Sequence, residues 1–233
     1  MADPYAYQTF RIIYEIISAI LCFILVRFMV KPYQITGESR YLGLPIGFGI
    51  LGLTYAISAI LFSQLFILGN GTIYIQLILR IFAFLFLSIT YYFSRRNGEN
   101  KRRIWNTTLA LLIIGVTVSL LLVSIPEVTT VIGYQNLSFF VRVFNLFLIG
   151  YIFAHTLRSH IEKPDPETIW IPLGYILFAL SQGLLIIYAI DSGNSASSMA
   201  AWWGALAIRW AALGVFLLVT CRSFYCLKKG DDK

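Results

Sequence analysis

The stretch TIYIQLILRIFAFLFLSITYYF, residues 72–93, decides the fold of this chain. It contains one charged side chain, Arg80, and is followed closely by the basic segment RRNGENKRR at residues 95–103. A bilayer core about 30 Å thick needs roughly 20 apolar residues in a helix that rises 1.5 Å per residue. This stretch therefore predicts a membrane-spanning helix with basic residues at one end.

Similar stretches recur along the whole chain of 233 residues, of which only 12% are charged. An ordinary soluble domain has about 25% charged residues, and a mean hydropathy of +0.77 does not fit one. The predicted spans lie at 8–30, 42–68, 72–93, 104–125, 136–157, 168–190 and 199–227. We predict an all-α, polytopic membrane protein with one seven-helix domain over residues 1–233.

The basic residues predict the orientation of the chain. Fourteen of the 18 Lys and Arg residues lie at or beyond alternate span ends, and the opposite loops contain none. Because short basic loops stay in the cytoplasm, we predict an outside N-terminus and an inside C-terminus in the cell membrane. The basic loops are expected to contact anionic lipids or a protein partner on the inner side, and not nucleic acid.

The other four basic residues, Arg11, Arg80, Arg142 and Arg209, lie within odd-numbered spans. Arg80, Arg142 and Arg209 are six to ten residues from the predicted outer end, which is roughly 9–15 Å at helical rise, and Arg11 is three residues from it. A charged residue at a helix centre costs about 2.5–3.5 kcal/mol on insertion scales. Snorkelling of each head to the outer headgroups is one interpretation. Four arginines at one depth favour the other, that they face the bundle interior.

Polar residues share helix faces with these arginines. Glu15, the one carboxylate within a predicted span, lies one turn from Arg11, so the spacing predicts that the two can pair. Asp3, Glu127 and Asp191 stand at outer ends and are further candidate partners. We predict an outward-opening, positively charged vestibule that binds an anionic or polar ligand. Its candidate ligand-binding residues are Arg11, Glu15, Gln76, Arg80, Arg142, Asn145 and Arg209.

The arginine-bearing spans also indicate an internal repeat. Arg11 and Arg142 are 131 residues apart, Arg80 and Arg209 are 129 apart, and Pro45 and Pro172 are 127 apart. These similar offsets map the first three spans onto the last three, with the fourth as a connector. Parallel repeats of this kind occur in transporters. Both prolines lie near the start of a span and are expected to occupy the first helical turn.

The sequence contains no motif that predicts an enzyme or a cofactor site. The outline resembles microbial rhodopsins, but no lysine lies within a predicted span to form the retinal Schiff base, so we expect no retinal. The two histidines, His155 and His160, lie at one span end, which makes a haem or metal site unexpected. Cys22, Cys221 and Cys226 are expected to be free thiols.

Three functions remain open at this point. The first is a sensor or receptor-like protein that binds a ligand among the arginines and signals through a partner. The second is an accessory subunit of a larger membrane complex. The third is a small carrier or channel built from two three-helix repeats. A carrier predicts a polar path from the arginines to the inner face, where the sequence places mostly Phe, Leu and Ile.

Overall fold

The computed structural model is helical throughout the part of the chain that it describes. That part comprises residues 4–37, 39–63, 71–94, 101–123, 125, 133–162, 164, 169–190 and 196–231. The helices are α1 Pro4–Met29, α2 Lys31–Thr36, α3 Gly43–Ser63, α4 Gly71–Ser94, α5 Lys101–Val123, α6 Tyr134–Glu162, α7 Trp170–Ile190 and α8 Ala196–Asp231. A short 3₁₀ turn, Ser39–Leu42, precedes α3.

Among the described residues, seven helices are long and apolar enough to cross a membrane, and they correspond to the seven predicted spans. The chain is therefore a multi-pass membrane protein by helix length and composition. Helices α6 and α8 extend beyond the apolar stretches that predicted them. A helix satisfies its own backbone hydrogen bonds, so it need not end where the hydrocarbon ends.

Local sequence explains where α2 begins and ends. Pro32 occupies the first turn of α2, where its missing N–H leaves no intrahelical bond unmade. The helix ends at Gly37, which adopts φ of +67° and donates its N–H to the carbonyl of Tyr33 at 2.8 Å. Glycine accepts this left-handed conformation without a Cβ clash.

Six of the spanning helices pack side by side in a closed ring. The order of neighbours is α1, α3, α4, α6, α7 and α8, and α8 returns to α1. Helix α5 packs against α4 outside this ring, and most of its surface is exposed. Its buried Trp105 meets the ring of Phe93 edge-on at 5.5 Å between centroids.

The half of the ring nearer the start of α3 and of α7 is filled by apolar side chains. All six ring helices contribute to this core. Its largest members include Phe48, Phe84, Tyr175, Phe178 and Phe216, whose rings meet at centroid distances of 4.8–6.1 Å. Aromatic pairs at such distances each contribute about 0.5–1.5 kcal/mol beyond the area that they bury. The core below the arginines is therefore dense and apolar.

Close helix approach depends on glycines near the start of α3 and of α7. A Cβ on Gly47 would lie 2.7 Å from the Leu87 side chain of α4. A Cβ on Gly174 would lie 2.7 Å from the Phe216 ring of α8. Both distances are too short for a real contact, so these two positions require glycine for the packing that is present.

Candidate functional site

The four intramembrane arginines lie on four different helices of the ring, α1, α4, α6 and α8. Arg80 and Arg209 are buried, with 9% and 4% of their surface exposed. Arg11 and Arg142 are half-buried, and the Nε atom of each is buried. The structure thus buries Arg80 and Arg209, as the interior interpretation predicted, and leaves Arg11 and Arg142 partly exposed.

Arg209 is neutralised by a carboxylate on a distant part of the chain. Its Nη2 donates a hydrogen bond to Glu15 Oε1 at 3.0 Å, across 194 residues. Both side chains are more than nine-tenths buried. The expected pairing of Glu15 with Arg11 is therefore wrong. Ring closure brings α8 beside α1, and that neighbour supplies a cation in place of the one on the same helix.

Aromatic rings surround this ion pair. The Cζ atom of Arg209 lies 4.5 Å from the ring centroid of Tyr55 and 5.4 Å from that of Tyr14. Tyr14 in turn stacks on Trp210 at 4.0 Å between centroids. Trp210 Nε1 donates to Ser18 Oγ at 3.0 Å, which fixes the indole against α1. Cation–π attraction therefore adds to the carboxylate in holding Arg209.

No carboxylate among the described residues pairs with Arg80. Its Cζ lies 5.9 Å from the Tyr55 ring, so Tyr55 touches both buried arginines. Within the described part of the chain, no hydrogen bond reaches Nε of Arg80, and no acidic side chain pairs with it. A buried cation without an anion is costly because the low-dielectric interior gives it little compensation for lost hydration.

Arg11 lies among aromatic side chains at the end of the ring where α1 begins. Its Cζ is 3.2 Å from the ring centroid of Phe62 and 5.2 Å from that of Trp202. Nearby, Gln8 Nε2 donates to the carbonyl of Phe62 at 2.6 Å, which ties α1 to α3. Arg11 is thus held partly by ring faces.

Arg142 connects α6 to α7. Its Nη1 donates a hydrogen bond to the carbonyl oxygen of Leu185. Asn145 lies one turn farther along α6, and Gln182 lies one turn away on α7 in the same direction, because the two helices run antiparallel. Asn145 is fully buried and Gln182 is 3% exposed.

These two amides have unmet hydrogen-bonding capacity. Nδ2 and Oδ1 of Asn145 and Oε1 of Gln182 form no hydrogen bond with any described residue. Most buried polar groups in folded proteins are hydrogen-bonded, so such atoms point to a missing partner. Gln76 differs, because its Oε1 accepts a hydrogen bond from Ser58 at 2.6 Å and so joins α4 to α3.

Sequence reasoning missed the contributions of Tyr55 and Gln182. Tyr55 was unmarked because aromatic residues are frequent in every span of this chain. Gln182 is a lone amide in the middle of a predicted span, and that rarity was the available signal. The candidate acidic partners Asp3, Glu127 and Asp191 lie outside the described residues.

The described residues include no group of three His, Cys, Asp or Glu side chains that could hold a metal ion. Comparison with protein-family models, with curated proteins and with solved structures finds no match for this chain. The function must therefore be argued from the arginine cluster itself.

Proposed function

We propose that this chain is a non-enzymatic membrane protein of the sensor or receptor-like kind, which binds an anionic ligand at Arg80. The orientation is that predicted from the basic loops, with the N-terminus outside, so the ligand enters from the outer side of the cell membrane. The output passes through a partner bound to the basic inner loops, such as residues 95–103.

Two buried arginines differ in whether an acidic side chain neutralises them, and this difference supports the proposal. Glu15 neutralises Arg209, whereas Arg80 has the Tyr55 ring nearby and no acidic partner among the described residues. A bound anion would supply the missing charge, and charge-assisted hydrogen bonds to a guanidinium are among the strong ones. Asn145 and Gln182 provide further buried hydrogen-bonding atoms on the neighbouring helices α6 and α7.

Thermal unfolding of the purified protein in detergent tests the proposal. The melting temperature of the wild type is measured against increasing chloride, sulfate, acetate and lactate. A ligand at a concentration of 100 times its Kd stabilises the folded protein by about 2.7 kcal/mol. The resulting shift in melting temperature is large enough for this assay to resolve. We expect at least one anion to stabilise the wild type and Arg80→Gln to abolish the effect.

The matched control is Arg158→Gln, which removes an arginine from the exposed end of α6. This variant should respond to the anion as the wild type does. If no anion in the series stabilises the wild type, or if Arg80→Gln responds as Arg158→Gln does, the proposal fails.

A carrier is the second candidate, and the paired arrangement of helices favours it. The ring consists of two three-helix sets, and the spacing of Arg80 and Arg209 fits a repeat of the transporter kind. The dense apolar core of the inner half argues against an open path in this conformation. Uptake of the stabilising anion into proteoliposomes, lost in Arg80→Gln, would favour the carrier.

An accessory subunit is the third candidate. Helix α5 lies outside the ring and exposes large apolar side chains, including Leu111, Ile114 and Leu121. Lipid covers such a face as readily as another protein does. Co-purification of one stoichiometric partner in mild detergent, lost when α5 residues are changed to larger ones, would favour this function.

A further inference from the structure

The two three-helix sets repeat one another in packing as well as in sequence. The glycines Gly47 and Gly174 are 127 residues apart, and the side chains that crowd them, Leu87 and Phe216, are 129 apart. These are the same two offsets that relate the prolines and the buried arginines. Pro45 and Pro172 each occupy the third residue of their helix. We infer that Arg80 and Arg209 occupy equivalent positions in the two sets.

The same equivalence identifies what Arg80 lacks. The offset of 131 that relates Arg11 to Arg142 places Leu146 at the position that corresponds to Glu15. Helix α1 packs on α8 to bring Glu15 to Arg209, and the interface between α6 and α4 takes the corresponding place in the other set. An apolar side chain therefore stands on α6 where its counterpart on α1 carries a carboxylate.

Two buried amides on the same side of the ring, Asn145 and Gln182, have atoms that form no hydrogen bond with any described residue. Asn145 precedes Leu146, and Gln182 corresponds to Tyr55 through the offset of 127. Tyr55 lies against Arg209, so the equivalent position of Gln182 is against Arg80. Arg80, Asn145 and Gln182 each have a buried polar atom that bonds no described residue. The inferred repeat places these three side chains together between α4, α6 and α7.

We propose that the ligand of this site is a small carboxylate that also carries an O–H or N–H donor, and that its carboxylate does for Arg80 what Glu15 does for Arg209. This inference rests on the proposed function and names the chemistry of its ligand. A carboxylate matches the single charge of Arg80 and the planar geometry of a guanidinium. The oxygens of Asn145 and Gln182 are acceptors, which a donor on the ligand would satisfy.

The test introduces an acidic side chain beside Arg80 by substitution. Asn145→Asp changes one atom of a buried side chain, and Leu146→Glu restores the residue type found at the equivalent position. Leu146→Gln is the uncharged control for the second variant, and the wild type is the control for the first. Lactate, acetate and sulfate are the probes, and thermal unfolding reports binding.

We expect lactate to stabilise the wild type and to bind about fivefold more tightly than acetate, because one more hydrogen bond is made. Without any ligand, Asn145→Asp should melt above the wild type, and Leu146→Glu above Leu146→Gln. In both acidic variants the response to lactate should fall at least tenfold, while Leu146→Gln retains it.

The outcomes separate this inference from the proposed function. Stabilisation of the wild type by sulfate or chloride but not by carboxylates would overturn the inference and leave the proposed function standing. An undiminished response to lactate in Asn145→Asp would do the same, and this nearly isosteric variant serves if Leu146→Glu fails to fold. If no anion stabilises the wild type, the proposed function fails. If, in addition, the acidic variants are no more stable than their controls, the inference that a carboxylate neutralises Arg80 is overturned as well.

Discussion

Glu15 and Arg209 form a buried ion pair at 3.0 Å between Oε1 and Nη2, although 194 residues separate them in the chain. The pair joins the first and last helices of the ring, α1 and α8. The Tyr14–Trp210 stack lies beside it and makes the same connection. Closure of the ring therefore depends on polar and aromatic contacts as well as on apolar packing.

Glu15→Gln should destabilise the protein strongly. Removing one partner of a buried ion pair leaves the other charge uncompensated, at a typical cost of about 3–5 kcal/mol. Thermal or denaturant unfolding in detergent measures the loss, and a double-mutant cycle with Arg209→Gln isolates the coupling between the two side chains.

Arg158 and Glu162 provide the control for that prediction. They form an ion pair of 2.9 Å on α6 with side-chain exposures of 73% and 51%. Exposed pairs at this spacing contribute about 0.3–0.5 kcal/mol. Glu162→Gln should therefore have little effect, and an effect as small from Glu15→Gln would contradict the importance of the buried pair.

Arg80→Met should raise the stability of the ligand-free protein. The substitution removes a buried cation that has no acidic partner among the described residues and leaves a flexible side chain of similar length. Replacing buried ionic groups with apolar ones is often neutral or stabilising by about 1–4 kcal/mol. Urea unfolding of the two proteins without added anion provides the comparison, and clear destabilisation would mean that Arg80 is already compensated.

Gly174→Ala and Gly183→Ala should shift stability in opposite directions, although both residues lie on α7. A Cβ at position 174 would overlap the Phe216 ring, and overpacking of this kind costs about 1–3 kcal/mol. A Cβ at position 183 meets no atom within 4 Å in the described structure, so the gain in helix propensity of up to about 1 kcal/mol should remain. Thermal unfolding of the two variants, measured side by side with the wild type, tests this prediction. Equal effects would contradict the close approach of α7 and α8.

Cysteine labelling tests the orientation. Gly133 and Pro164 are both exposed and lie at opposite ends of α6. With the N-terminus outside, Gly133→Cys should react with a membrane-impermeant maleimide in intact cells. Pro164→Cys should react only after permeabilisation, and the wild type reports the background from the native cysteines. The reverse pattern would mean that the basic loops lie outside.

The sequence predicted the spanning helices and the polar faces better than the contacts between them. The length of each apolar stretch fixes a span, and the polar face predicted around Glu15 is buried in the structure. The partner of Glu15 was predicted wrongly because local spacing favours Arg11 and contains no information about which helix packs alongside. Gln182 was missed for the same reason, since its importance depends on neighbours from other helices.

Helix α5 outside the ring has a consequence for how such a protein can arise by gene duplication. Three crossings leave a chain on the opposite side of the bilayer from where it started. A second copy joined directly to the first would be threaded upside down, with its arginines at the wrong depth. On the repeat inferred above, the extra crossing by α5 restores the parity, so that a duplicated half would insert the same way up as the original and could close a ring with it.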